Sequence, residues 1–228
     1  MKRSELAATI DHTLLGPTAT RAGVERLCAE AIGFGVAAVC IDLRHAATAR
    51  KALAGSKVRL CVVVGFPSGM TATSVKAFEA REAVAQGADE VDMVIPVGAL
   101  KERDLGALRA DIAAVCDVAH RAGRPVAVKV ILETCLLTDE EKVLGAKEAV
   151  AAGADYVKTS TGFGPAGATT ADVALLRRTV GPNVGVKAAG GIRDTATALA
   201  MIAAGATRIG ASRTADILAG LDESAPSA

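Results

Sequence analysis

Three lysines of this chain lie inside apolar runs where a charged side chain is costly: Val128-Lys129-Val130, Val157-Lys158-Thr159 and Val186-Lys187-Ala188. A lysine within a buried strand needs a partner or a task. Burial disfavours the ammonium form, and a lysine that is neutral near pH 7 attacks carbonyl carbon to form a Schiff base. Lys158 stands apart because its short apolar run leads straight into the turn Thr159-Ser160-Thr161-Gly162. We read Lys158 as the Schiff-base lysine, with another of the three lysines as a second cation beside it. Asp92, in Glu90-Val91-Asp92-Met93-Val94, is the carboxylate that holds that cation or takes a proton. Two ammonium groups ~4 Å apart repel by roughly 4 kcal/mol at an effective dielectric of ~20. One pKa unit is ~1.4 kcal/mol, so the pair alone brings one amine from ~10.4 toward neutrality. The bland alternative is a lysine on an edge strand, or one whose stem lies along apolar surface while its head reaches water. Three such lysines in successive strands, with an aspartate near, argue against it.

A second chemical signal is glycine. Thr161-Gly162, Gly190-Gly191 and Gly210-Ala211-Ser212 close three successive strand-like runs. Such turns aim backbone N–H groups at an oxyanion, helped by the start of the next helix. Taken with the lysine they point to a phosphate pocket, although any one pair alone reads as ordinary turn glycines. Cys40 occupies the strand position equivalent to Lys158 and is expected to line the pocket, by packing or substrate contact. Glu133 reads as a counter-ion for a lysine, with general-base work the lesser option. His12, His45 and His120 show no metal-ligand spacing and no Cys/His pair resembles a zinc site. No metal and no cofactor are expected.

These groups must be positioned by alternating strands and helices. Strand-like runs fall at Val36–Ile41, Val58–Val64, Glu90–Ile95, Val126–Leu132, Tyr156–Thr159, Val184–Ala188 and Arg208–Ala211, with a short segment at Ile10–Leu15. Alanine-rich helical stretches separate them. Thr138-Asp139-Glu140-Glu141 is a capping box and Thr169 opens a further helix. A repeat runs through the chain: Gly35, Gly87, Gly153 and Gly205 each close a helix, and four residues later stand Val39, Val91, Val157 and Ile209. Five residues later stand Cys40, Asp92, Lys158 and Gly210, which share no property. Strand neighbours point to opposite faces, so the aliphatic set packs under helices and the mixed set faces a shared interior. About eight βα units in 228 residues fit a single-domain α/β fold, the (β/α)8 TIM barrel, typically ~250 residues. An open doubly wound sheet is the competitor, weakened because no G-x-G-x-x-G follows the first strand. The barrel is expected over residues 1–221, with 222–228 a frayed tail.

Composition bounds the remaining classes. Formal net charge is +1, aromatics are 2% and tryptophan is absent, which argues against a nucleic-acid partner. No uncharged apolar run approaches the roughly 18 residues of a membrane span. The N-terminus lacks the apolar run of a signal peptide. Five scattered cysteines, an odd number and never C-x-x-C, read as reduced thiols of a cytoplasmic protein. A homodimer is expected, the commonest symmetric assembly.

The motifs also carry a family likeness. Ile10-Asp11-His12-Thr13-Leu14-Leu15, Gly65-Phe66-Pro67, Glu90 to Val94, Lys129-Val130-Ile131-Leu132-Glu133-Thr134, Val157 to Gly162 and Val186-Lys187-Ala188-Ala189-Gly190-Gly191 resemble, in order, those of the deoxyribose-phosphate aldolase family. The resemblance covers roughly Ile10 to Thr214, and the lysine in its K-T-S-T-G context is its most specific part. It implies a metal-free class I aldolase that reversibly cleaves 2-deoxy-D-ribose 5-phosphate to D-glyceraldehyde 3-phosphate and acetaldehyde. It also implies Lys158 as the Schiff-base residue, with Asp92 and Lys187 moving protons through a water. Three positions depart from some members: Phe163 follows Gly162 where a lysine can stand, Ser212 is followed by Arg213 rather than a second serine, and Tyr156 is the only tyrosine. Phosphate recognition would then depend on backbone groups and Ser212, with Arg193 or Arg213. Two other readings separate by experiment. A Schiff-base barrel for a longer sugar phosphate or a keto acid differs in substrate, and a non-catalytic sugar-phosphate sensor binds without turnover.

Overall fold

The computed structural model describes residues 1–221. Eight parallel strands close into a barrel in sequence order, with β8 returning to pair with β1. They are β1 (Ile10–Leu14), β2 (Ala38–Ile41), β3 (Arg59–Val64), β4 (Glu90–Val94), β5 (Ala127–Ile131), β6 (Tyr156–Lys158), β7 (Gly185–Ala189) and β8 (Arg208–Ala211). Every expected run forms a strand, and closure excludes the open doubly wound sheet. The tail expected to fray, 222–228, lies outside the described residues.

The helices are α1 (Arg3–Ala7), α2 (Arg21–Phe34), α3 (Ala46–Ala52), α4 (Thr73–Ala85), α5 (Val97–Lys101), α6 (Leu105–His120), α7 (Asp139–Ala151), α8 (Thr170–Val180), α9 (Thr195–Ala203) and α10 (Thr214–Leu218). The capping box forms at α7: the Glu141 N–H donates to the Thr138 hydroxyl and the Thr138 N–H to the Glu141 carboxylate. Thr169 caps α8 by accepting from the Asp172 N–H. Caps of this kind contribute about 1 kcal/mol each. The four repeat glycines adopt φ of 68°, 91°, 100° and 113° at Gly35, Gly87, Gly153 and Gly205. That left-handed turn, open to glycine at little steric cost, sends each helix back into the next strand.

Strand alternation then divides the side chains as the repeat demands. Val39, Val91, Val157 and Ile209 are fully buried in the layer between sheet and helices. Fully burying one such side chain stabilises the fold by roughly 1.5–3 kcal/mol. Their neighbours Cys40, Asp92, Lys158 and Gly210 face the barrel interior. Register sets the depth that the sequence left open. Lys158 pairs with Lys187 across β6 and β7, whereas Lys129 pairs with Asp92 and Tyr156. Ile131, not Lys129, stands level with Lys158, so Lys129 sits a layer deeper.

A buried pair fastens the helices to this frame. Lys76 of α4 is wholly buried and donates to the Val94 carbonyl at 2.9 Å and to Asp111 of α6 at 2.7 Å. Thr73 donates to the other Asp111 oxygen at 2.8 Å. The Lys76 stem crosses Gly65, where a Cβ would lie 2.8 Å from its Cε. Two helices are thereby tied to the end of the strand that carries Asp92.

Candidate active site

Asp92 is the hub of the interior. It is fully buried on β4. Its Oδ2 accepts from Lys158 Nζ and from Lys187 Nζ, each at 2.7 Å. Its Oδ1 accepts from Lys129 Nζ at 2.8 Å and from the Cys61 thiol at 3.0 Å. Lys158 and Lys187 therefore lie no further apart than twice 2.7 Å, on the same oxygen. Around this hub, Lys187 also donates to Asp11 at 2.5 Å, Lys129 lies 2.6 Å from Glu90, and Arg208 reaches Asp11 at 2.7 Å and Glu90 at 3.1 Å. Arg59, half exposed, approaches Glu90 from the rim at 2.7 Å. A buried array of this kind holds together only when its charges are matched and hydrogen-bonded.

The electrostatics follow from these contacts. Burial alone would raise the Asp92 carboxyl, but Lys129, Lys158 and Lys187 together hold it well below the usual carboxylate range. Asp11 is buried too, and Lys187, Lys129 and Arg208 keep it low. Burial opposes the charge of Lys187, yet Asp11 and Asp92 carry its pKa above the ordinary lysine value. Lys129 is raised in the same way against its burial, by Asp92 foremost and by Cys61, Glu90 and Asp11. The second cation beside Lys158 is thus present, but as one end of a carboxylate-bridged pair and not as a bare neighbour.

A cavity of about 310 Å³ opens at the carboxyl ends of the strands. Lys158 lines it, with Thr161, Gly162, Gly190, Gly191, Gly210 and Ser212, all expected there. Leu14, Phe163 and Arg193 complete much of the wall. Asp92 and Lys187 sit behind Lys158, each 0% exposed, and do not line the cavity. Cys40, 1% exposed, is likewise set back, in a small interior cluster with Ala38, Cys61 and Val63. Arg213 pairs with Asp216 at 2.6 Å, leaving Arg193 as the arginine on the cavity wall.

The glycine turns are shaped for an anion. Gly162, Gly190 and Gly191 have φ of 86°, 88° and 80°. Among the described residues, the N–H groups of Gly162, Gly190, Gly191 and Ser212 donate to no other group of the chain. Thr161 differs. Its N–H and its hydroxyl both donate to Glu133. Glu133 is therefore not the lysine counter-ion that the sequence suggested, because it faces the Thr161 turn and no ion pair reaches it among the described residues. His12 also turns away from the cavity, bonded to Thr214 at 2.8 Å and Glu30 at 3.1 Å against the helical shell.

Sequence reasoning passed over Glu90, Arg208 and the Lys76–Asp111 pair. Glu90 and Arg208 open their strands, where a charge usually marks an exposed end. Asp11, by contrast, carried the same signal as the three lysines, a charge within an apolar strand. Lys76 gave none, since a helical lysine reads as solvated.

The DeoC/LacD family aldolase model matches residues 6–222. The chain belongs to the DeoC/LacD aldolase family. Among the family's curated members, a deoxyribose-phosphate aldolase of Lysinibacillus sphaericus is 54% identical over 215 residues, covering 94% of this chain and 95% of that protein. One from Clostridium perfringens is 51% identical over 220 residues, covering 96% and 97%. The solved deoxyribose phosphate aldolase of Aeropyrum pernix, described as tetrameric, superposes with a TM-score of 0.89 at 34% identity. It covers 96% of this chain and 91% of that one.

Proposed function

We propose that this chain cleaves 2-deoxy-D-ribose 5-phosphate to D-glyceraldehyde 3-phosphate and acetaldehyde, reversibly, through an imine on Lys158. The observation that carries the reading is one amine at the floor of the cavity, bonded to a carboxylate that also holds a second, buried amine. The relatives named deoxyribose-phosphate aldolase support the substrate. Access supports the nucleophile. Asp11, Glu90 and Asp92 face Lys129, Lys187, Arg208 and Lys158, all buried, and Lys158 alone of these four basic residues lines the cavity.

The amine adds to C1 of the open-chain aldehyde and water leaves, giving a protonated imine. Loss of the C3 hydroxyl proton then breaks C2–C3, releasing C3 as the new aldehyde carbon. The electron pair moves into the imine as an enamine. Protonation at C2 and hydrolysis yield acetaldehyde and regenerate Lys158. Lys187, raised and held as a cation, is the proton donor of this scheme. Asp92, held as the anion, aligns both amines and takes the C3 hydroxyl proton through a water that links the pair to the substrate. The four unpaired turn N–H groups, Ser212 and Arg193 receive the phosphate. We further assign a homodimer in the cytoplasm; a tetrameric mass by light scattering would contradict the dimer. Five free cysteines among the described residues suit a reducing compartment.

The test is a coupled assay for D-glyceraldehyde 3-phosphate release from 2-deoxy-D-ribose 5-phosphate. Release, and its reversal with acetaldehyde as donor, is expected. Turnover only of a keto acid or a longer sugar phosphate, or binding without turnover, sinks the proposal.

A further inference from the structure

Glu133 is the feature that the aldolase scheme does not use. It follows β5 with φ 57°, a left-handed conformation that L side chains rarely adopt. Its carboxylate is buried and has no cation within ion-pair distance among the described residues. Instead both oxygens accept the Thr161 N–H, at 3.4 and 3.3 Å, and one accepts the Thr161 hydroxyl in a very short contact. The Thr161 hydroxyl in turn accepts the Phe163 N–H at 3.0 Å. The neighbouring backbone joins the same splice, since the Thr134 N–H donates to the Thr159 carbonyl at 2.9 Å.

Each contact has a consequence for the cavity wall. A hydroxyl has one hydrogen, and that of Thr161 is committed to Glu133. Its N–H is committed as well, so Thr161 lines the cavity without a donor to offer an anion. What the clamp does is fix the turn on either side of Gly162. Gly162 lies against the opposite turn, a Cβ placed on it falling in ordinary van der Waals contact, 3.9 Å from the Gly190 Cα. The two turns that carry unpaired N–H groups thus face one another, and Glu133 holds one of them.

We propose that Glu133 is a positioning residue: by clamping Thr161 it aims the Gly162 turn at the phosphate end of the cavity, and so sets the preference for a phosphorylated over an unphosphorylated sugar. This rests on the aldolase reading for its substrate, but the clamp itself is testable without turnover. A glycine would sit at this φ without strain, so a glutamate there is explained by what its side chain holds.

Inorganic phosphate is titrated calorimetrically into the full chain and its variants, and kcat/KM is measured for 2-deoxy-D-ribose 5-phosphate and for unphosphorylated 2-deoxy-D-ribose. Glu133→Gly suits the left-handed backbone and keeps the fold while removing the clamp. It and Glu133→Gln are expected to weaken phosphate binding, and to lower the ratio of the two kcat/KM values, by about tenfold, the loss of hydrogen bonds to a charged group. The effect enters through KM for the phosphorylated sugar and leaves kcat for the plain sugar unchanged. Glu133→Asp recovers part of it. Thr161→Val is expected to produce the same fall, and the Glu133→Gln/Thr161→Val double variant no larger one. Equal losses on both sugars, unchanged phosphate binding in Glu133→Gly, or no phosphate binding by the parent would overturn the proposal. Cyanoborohydride trapping of acetaldehyde separates the two readings. Trapping on Lys158 with an unchanged ratio removes the clamp alone. Absence of trapping in the parent removes the aldolase, and the phosphate titration still decides the clamp.

Discussion

Replacing Lys187 by methionine takes one ammonium out of the interior while keeping most of the stem's volume. Lys187 and Lys158 share the Asp92 Oδ2 at 2.7 Å each. At a separation of ~5 Å and an effective dielectric of ~20, their repulsion is roughly 3 kcal/mol, or about two pH units. The sign is fixed from two sides. Loss of the cation removes repulsion toward a proton on Lys158, and it leaves Asp11 and Asp92 less neutralised, which also attracts a proton. Imine formation needs the free amine, so the acid limb of its pH profile must move to higher pH. The assay is the rate of cyanoborohydride-trapped imine from acetaldehyde across pH 5–10, which does not depend on Lys187 as a proton donor in later steps. An acid limb shifted upward by about two units is expected. A limb that stays in place, or moves to lower pH, refutes the electrostatic coupling of the two amines.

Asp92→Asn should be the more damaging change, because three lysines lose their common anion. A loss of about 3–5 kcal/mol by denaturant unfolding, and slowed proton exchange at the acetaldehyde methyl group, are expected; wild-type stability and exchange contradict its role. The low carboxyls and raised lysines also set the pH range of stability. The depressed Asp11 and Asp92 contribute fully above the unfolded carboxyl value of ~3.9, and the raised Lys129 and Lys187 contribute fully below the unfolded lysine value of ~10.4. Stability from these four groups should be flat between those limits, falling in acid as Asp11 and Asp92 protonate and in strong alkali as the lysines lose their protons. A midpoint that drifts steadily between pH 5 and 9 in denaturant would contradict this. Lys76→Met leaves Asp111 buried without its cation and should cost about 3–5 kcal/mol, whereas Lys76→Met/Asp111→Leu should recover much of it; additive losses would show the pair is not coupled. Gly190→Ala combines φ 88° with a Cβ placed 2.9 Å from the Gly167 Cα. It should raise KM for the phosphorylated sugar, and an unchanged KM removes this turn from the phosphate site.

Much of this arrangement could be read in advance because one rule governs it. Helix-ending glycines fixed where β2, β4, β6 and β8 begin, and period-two alternation then sorted Val91 from Asp92 and Val157 from Lys158. Charges stranded in apolar runs marked the interior, so Asp92, Lys158 and Lys187 came together as expected. Depth did not follow, since it depends on the stagger between strands. Lys129 looked equivalent to Lys158, yet register drops it a layer to meet Glu90 and Asp92. Loop geometry was also hidden. Nothing local to Glu133 announces a left-handed backbone that turns its carboxylate to Thr161 and not to a lysine. Cys40 faced inward as predicted, but the cavity floor closes above it.

One of three buried lysines must form the imine, and chemical trapping identifies which. Acetaldehyde and borohydride, followed by proteolysis and mass spectrometry of the peptides, assign the reduced adduct to a residue. An ethyl group on Lys158, with Lys129 and Lys187 unmodified, is the predicted result. No adduct, or an adduct on either of the other two lysines, contradicts it.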